Sequence, residues 1–159
     1  AKEYVAGLVG GISGPWLALF PAVVFVVGAF LAFATGTSWG TFGILIPIVV
    51  STFSGTNHTM MIISISACMA GAVCGDHCSP ISDTTVMSSA GAQSNHINHV
   101  TTQMQYAAVV AVVCIIGYII AGLVQIWWVA LGISLMLLLA VLTFIKKRSG
   151  SNREKTAGI

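Results

Sequence analysis

Charge is what this chain has least of. Only 6% of its 159 residues are charged, and between Glu3 and Lys146 just two remain, Asp76 and Asp83. A soluble domain carries roughly 25% charged residues, so the shortage excludes a water-soluble globular fold. Hydrophobic residues reach 57% and mean hydropathy is +0.96, the composition of an integral membrane protein. The net charge of +2 comes from the two ends rather than from a basic face, so no nucleic-acid partner is expected. Four cysteines make no secreted framework, because Cys68 and Cys114 lie within apolar stretches and read as small buried thiols. No leader pattern precedes the first apolar run and the chain opens at Ala1, so its start is expected to be internal to a longer protein.

What the sequence has instead is long apolar runs, two of them interrupted. A membrane helix needs ~20 apolar residues, and Trp16 to Thr35 supplies the first such run, with Pro21 near its start. The next piece, Phe42 to Phe53, contains Pro47 and is too short to cross. Between them, Gly36-Thr37-Ser38-Trp39-Gly40-Thr41 breaks a helix. The pair is therefore either a re-entrant hairpin or one long helix unwound in its middle. Thr59 to Cys74 begins another membrane helix, with Ala67, Gly71 and Gly75 four apart on one face. Such a row admits a second helix closely, and the missing part of the protein is expected to pack there. Gly75 and Pro80 predict unwinding, followed by a half-helix capped by Ser82 or Asp83 and fading at Gly91.

Residues 92–105 are polar and predict a loop with the start of an interfacial helix. Tyr106 to Val124 and Ile126 to Ile145 are two further spans, joined at Gln125 beside Trp127 and Trp128, residues suited to headgroup level. Lys146-Lys147-Arg148 follows at once, which by the positive-inside rule makes the C-terminus cytoplasmic. The fold class is thus all-α: a polytopic membrane transporter with interrupted or re-entrant helices. A membrane domain over 1–148 and a disordered polar tail over 149–159 are expected.

Function is expected in the polar island from Gly75 to Thr85, which holds both aspartates. A charged side chain at bilayer depth costs ~2.5–3.5 kcal/mol on insertion scales, so such residues usually line a cavity or an ion path. Asp76 and Asp83 can meet only if the backbone between them bends, which Pro80 permits. Ser79, Ser82, Thr84 and Thr85 surround them with hydroxyl oxygens. Sodium favours hard oxygen ligands, and unwound helices add carbonyls. A carboxylate held away from water favours its protonated form. One carboxylate can then hold a proton or a cation, but not both, and that competition is the physical basis of antiport.

His77 either pairs with an aspartate and relays protons, or braces a broken helix end. Thr37 and Ser38 would add oxygens if the first break meets the island, with Trp39 as a cavity wall. Cys74, His77 and Cys78 lack the second ligand pair of a zinc site, so no metal beyond transported sodium and no cofactor is expected. His96 and His99, at i and i+3, read as the polar face of an interfacial helix.

Three runs carry a family resemblance: Gly-Thr-Ser-Trp-Gly-Thr at 36–41, Gly-Asp-His-Cys-Ser-Pro-Ile-Ser-Asp-Thr-Thr at 75–85, and Asn95-His96-Ile97-Asn98-His99-Val100-Thr101-Thr102-Gln103. Over most of residues 30–125 the chain resembles the NhaC-type sodium/proton antiporter family. Where relatives often carry an acidic residue, this chain has Asn98. The resemblance implies a multi-pass secondary transporter of the bacterial inner membrane, built from inverted repeats. Members are considerably longer, so this chain corresponds to the C-terminal portion, with the N-terminal half as its partner and a homo-oligomer as a further assembly. Exchange of sodium for protons is the activity implied, with sodium- or proton-coupled exchange of organic acids such as malate and lactate as the alternative. A third class, a non-transporting membrane scaffold, would apply if the native protein were no longer than this chain.

Overall fold

The computed structural model describes residues 15–53, 55 and 57–157, and side chains over 17–53, 55 and 57–147. The opening stretch from Ala1, with its expected internal start, lies outside these residues. Helices account for nearly all of the described chain: α1 (Pro15–Thr35), α2 (Ser38–Phe53), α3 (His58–Cys78), α4 (Asp83–Gly91), α5 (His96–Val124) and α6 (Trp127–Ala157). Among the described residues there is no strand. Four helical stretches are long and apolar enough to cross a membrane: Leu17–Thr35, His58–Cys78, His96–Val124 and Trp127–Lys147. With 16 residues, α2 is shorter than these.

Small residues set the arrangement. Gly71 faces the backbone of Phe25 and Gly75 that of Ala29, so α1 and α3 run side by side in the same direction. The row Ala67/Gly71/Gly75 is therefore filled by α1 of this same chain, not by a segment outside it as the sequence led us to expect. Gly75 does not unwind α3 either. Its missing Cβ lets the Ala29 backbone in, and the helix continues to Cys78.

The α1–α2 break is also tighter than expected. Only Gly36 and Thr37 lie outside the helices. Gly36 takes φ +69°, a left-handed conformation that suits glycine. Thr37 then caps α2, its Oγ1 accepting from the Gly40 N–H at 3.5 Å. The chain reverses here, because Leu45 packs beside Gly28 and the Phe53 ring meets Phe20 edge-on at 5.1 Å. Of the two arrangements left open by the sequence, the helical hairpin is the one formed. An apolar seam joins Val24, Leu45, Val49 and Phe53 of this hairpin to Met60 and Cys68 of α3.

Helix α5 runs opposite to α1 and α3. It starts ten residues before Tyr106 because Asn95 caps it, accepting from the Asn98 N–H at 3.2 Å. Its far end brings Gly122 against Ala18 and Tyr118 Oη within 3.2 Å of Ser66 Oγ. Gln125, at φ +54°, makes the tight turn, and Trp127 stacks on Trp128 at 3.5 Å. Helix α6 returns along α5, with Gly117 facing Ser134. Lys146 and Lys147 therefore end up at the same end of the bundle as the α3–α4 break. The polar segment after Ser149 continues α6 to Ala157 rather than forming a disordered tail; no proline stands there to stop the helix. Outer faces are apolar, with Phe30 and Met136 both more than 70% exposed, as expected of helices solvated by lipid.

Candidate ion-binding site

The α3–α4 break is four residues long, Ser79 to Ser82. Pro80 keeps the residue before it extended, and Ser79 adopts φ −74°, ψ 130°. Breaking two helices leaves backbone carbonyls without helical partners, and hydroxyls satisfy several of them. Ser79 Oγ donates to the Phe33 carbonyl of α1 at 2.7 Å, and Thr85 Oγ1 donates to the His77 carbonyl at 3.2 Å. Both side chains are buried.

Ser82 is the N-cap of α4, but its hydroxyl does not cap. It donates instead to Asp76 Oδ1 at 2.6 Å, a short bond of the kind a carboxylate accepts. Thr84 Oγ1 lies 2.8 Å from Ser82 Oγ. A serine hydroxyl has one hydrogen, so with that hydrogen on Asp76, Thr84 donates to Ser82. The result is a relay of three side chains, Thr84 to Ser82 to Asp76. Asp76 is only 6% exposed, and Ser82 is fully buried.

The expected residues divide sharply. Asp76, Ser79, Ser82 and Thr84 gather in the break, and Asp76 falls inside the candidate span His58–Cys78. Asp83 does not join Asp76. It is exposed in the first turn of α4, where a carboxylate suits the helix N-terminus, and it makes no side-chain hydrogen bond or ion pair among the described residues. His77 pairs with neither aspartate; its exposed ring bonds the Val73 carbonyl of its own helix at 3.0 Å. Thr37 and Ser38 lie beside the island without a hydrogen bond to it. The two breaks do meet, because Gly36 backs onto Ile81. Trp39 is 80% exposed and packs on Phe42, so it walls no cavity with the island.

One residue central to the geometry is absent from the expected set. His96 is half-buried and reaches two segments at once, with Nε2 2.8 Å from the Pro80 carbonyl and Nδ1 3.0 Å from Ser89 Oγ. Its i, i+3 spacing with His99 pointed only to a polar helix face; nothing local in the sequence signals a bond sixteen residues back. A separate apolar cleft of about 470 Å³ between α3, α5 and α6, bordered by Ser66, Tyr118 and Ser134, does not include the island.

Residues 1–123 match the Na+/H+ antiporter family, and the chain belongs to that family. It is 47% identical over 146 residues to an uncharacterised protein of Haemophilus influenzae, covering 92% of this chain and 28% of that protein. It is 25% identical over 132 residues to the malate-2H(+)/Na(+)-lactate antiporter of Bacillus subtilis, covering 72% of this chain and 28% of that protein. The chain thus spans well under half the length of the curated relatives it matches. No solved structure matches it. Family and helices together define part of a helical membrane protein of an antiporter family, a family of transporters rather than enzymes.

Proposed function

We propose that the protein containing this chain exchanges sodium, or another monovalent cation, for protons across the bacterial inner membrane, with Asp76 as the exchangeable carboxylate. The observation that carries this is the buried Asp76 carboxylate in a helix break, tied to Ser82 and through it to Thr84. A cation there would take oxygens from Asp76, Ser82 and Thr84, with further carbonyls from the broken helix ends. A proton on Asp76 removes the negative charge that holds the cation, so the two exclude each other. Ser79 holds the break against α1, and Thr37 and Ser38, which follow the Gly36 that meets Ile81, would add oxygens if the two breaks drew together. His77 and Asp83 belong to the outer surface of this site.

Lys146, Lys147 and Arg148 favour a cytoplasmic C-terminus. The break lies at the same end of the bundle, which would set the site toward the cytoplasmic side of the membrane. The exposed Trp39, Ile81 and Met87 around it offer a surface for the remainder of the transporter, and a homo-oligomer is a further assembly. No cofactor is required.

The test uses the full-length protein in everted membrane vesicles. Asp76→Asn abolishes sodium-dependent proton movement, while Asp83→Asn lowers its rate and leaves exchange measurable. Full exchange by Asp76→Asn overturns the proposal. The Bacillus subtilis relative supports a second possibility, organic acid exchange coupled to sodium or protons. Radiolabelled malate and lactate separate the two, since a pure cation/proton antiporter moves neither.

A further inference from the structure

We propose that His96 is a positioning residue for the Asp76–Ser82 pair: its ring ties the Pro80 carbonyl to α4 and α5 and so fixes where the Ser82 hydroxyl meets the carboxylate. This rests on Asp76 being the exchangeable group. The argument begins with chain connectivity. Pro80 stands between Ser79, which grips the Phe33 carbonyl, and Ser82, which grips Asp76. Among the described residues the Ser79 N–H ends α3 on the Asp76 carbonyl at 3.1 Å and the Ser82 carbonyl starts α4 with the Val86 N–H at 2.9 Å. The break itself is closed by two bonds, the Ser82 N–H to the Ser79 carbonyl at 3.4 Å and the Ile81 N–H to Ser79 Oγ at 3.4 Å. Both are long for N–H···O bonds, whose usual separation is about 2.9–3.0 Å. The 2.8 Å bond from His96 to the Pro80 carbonyl is the shortest polar contact that the Pro80–Ile81 backbone makes from outside the break.

Hydrogen bookkeeping fixes the ring's role. A carbonyl oxygen can only accept, so Nε2 carries the hydrogen and donates to Pro80. In the neutral ring Nδ1 is then an acceptor facing Ser89 Oγ at 3.0 Å, and it competes with the Val86 carbonyl at 2.9 Å for the single Ser89 hydrogen, so the firm bond of this ring is the one to Pro80. Ser89 is 3% exposed and sits near the end of α4. His96 itself is the first residue of α5. A single side chain thus spans the break, the helix that follows it and the helix after that. Ser82, as the N-cap of α4, moves whenever α4 slides relative to Pro80.

Three substitutions separate the two ends of the ring. Gln carries an amide about where Nε2 stands and can still donate to Pro80; Asn reaches only the Nδ1 position; Ala reaches neither. In full-length protein in everted vesicles, His96→Asn and His96→Ala raise the sodium concentration for half-maximal exchange about tenfold, with maximal rate within threefold of the parent. His96→Gln restores half-saturation to within threefold. Size-exclusion profiles in detergent report whether each variant folds, and if His96→Ala does not, the Gln and Asn variants decide. Unchanged half-saturation in His96→Asn, or equal impairment of Gln and Asn, overturns the proposal. So does loss of folded protein in all three, since His96 would then be a requirement of the bundle as a whole. Loss of exchange in Asp76→Asn alongside normal His96→Ala refutes only the role of His96; full exchange in Asp76→Asn removes the underlying function first.

Discussion

Adding one methyl group at Gly75 tests how closely α1 and α3 approach. A Cβ built there falls 2.8 Å from the Ala29 carbonyl carbon and 2.9 Å from its Cα, with the Ala29 oxygen nearer still. Ordinary contact begins at 3.4 Å, and backbone atoms cannot swing aside as a long side chain can. Helix α1 must therefore retreat by more than half an ångström. Overpacking of this kind costs about 1–3 kcal/mol. Replacing a helical glycine by alanine also brings a gain of up to about 1 kcal/mol in helix propensity, which would hide part of the loss. Gly43→Ala supplies the control: a Cβ there meets nothing within 4 Å, so it registers the propensity gain alone. The difference in unfolding free energy between the two variants, measured in mixed detergent micelles, is expected to be about 1–3 kcal/mol against Gly75→Ala. Sodium-dependent exchange falls as well, because the retreat stretches the 2.7 Å bond from Ser79 to the Phe33 carbonyl. Equal stability of the two variants would refute the close approach and, with it, the parallel register of α1 and α3.

Other perturbations act on single contacts. Ser79→Ala removes the hydroxyl that donates to the Phe33 carbonyl at a part-buried site and costs about 0.5–1.5 kcal/mol, against no measurable change for Ser88→Ala, whose hydroxyl bonds at an exposed site. Gly36→Ala forces a side chain into left-handed backbone and toward Ile81, so a loss of at least about 1–2 kcal/mol is expected in the same unfolding assay. A double-mutant cycle on Ser66→Ala and Tyr118→Phe returns a coupling of about 0.6 kcal/mol, the size typical of a hydrogen bond between membrane helices; zero coupling would show that the 3.2 Å contact contributes nothing.

The long spans were legible because apolar length is a one-dimensional property. Leu17–Thr35 and the α5–α6 turn at Gln125 follow directly from runs of hydrophobic residues and their interruptions. A helix start at Ser82 or Asp83 was legible too, although the Ser82 hydroxyl bonds Asp76 instead of capping, and Asp76 stood out simply by being charged. What failed were inferences in which one residue type serves two purposes. Gly75 reads as a helix breaker but here makes room for Ala29. Ser38 to Thr41 reads as loop, yet Thr37 caps a helix through it. Over 92–105 a loop with the start of an interfacial helix was legible, but not that the Asn95 cap begins there the same helix that crosses as far as Val124. The separation of Asp76 from Asp83, and the bridge made by His96, depend on which way four residues turn at Pro80. Neither spacing nor composition encodes that direction.

The clasp between Ser79 and the Phe33 carbonyl, together with the seat of Ile81 on Gly36, has a mechanical corollary. The two interruptions in this chain are joined, so neither can be displaced alone. If the proposed exchange holds, a swing that carries the carboxylate toward the opposite side of the bilayer drags the hairpin tip along, and the link between cargo and motion runs through a serine hydroxyl and an isoleucine rather than through a charge.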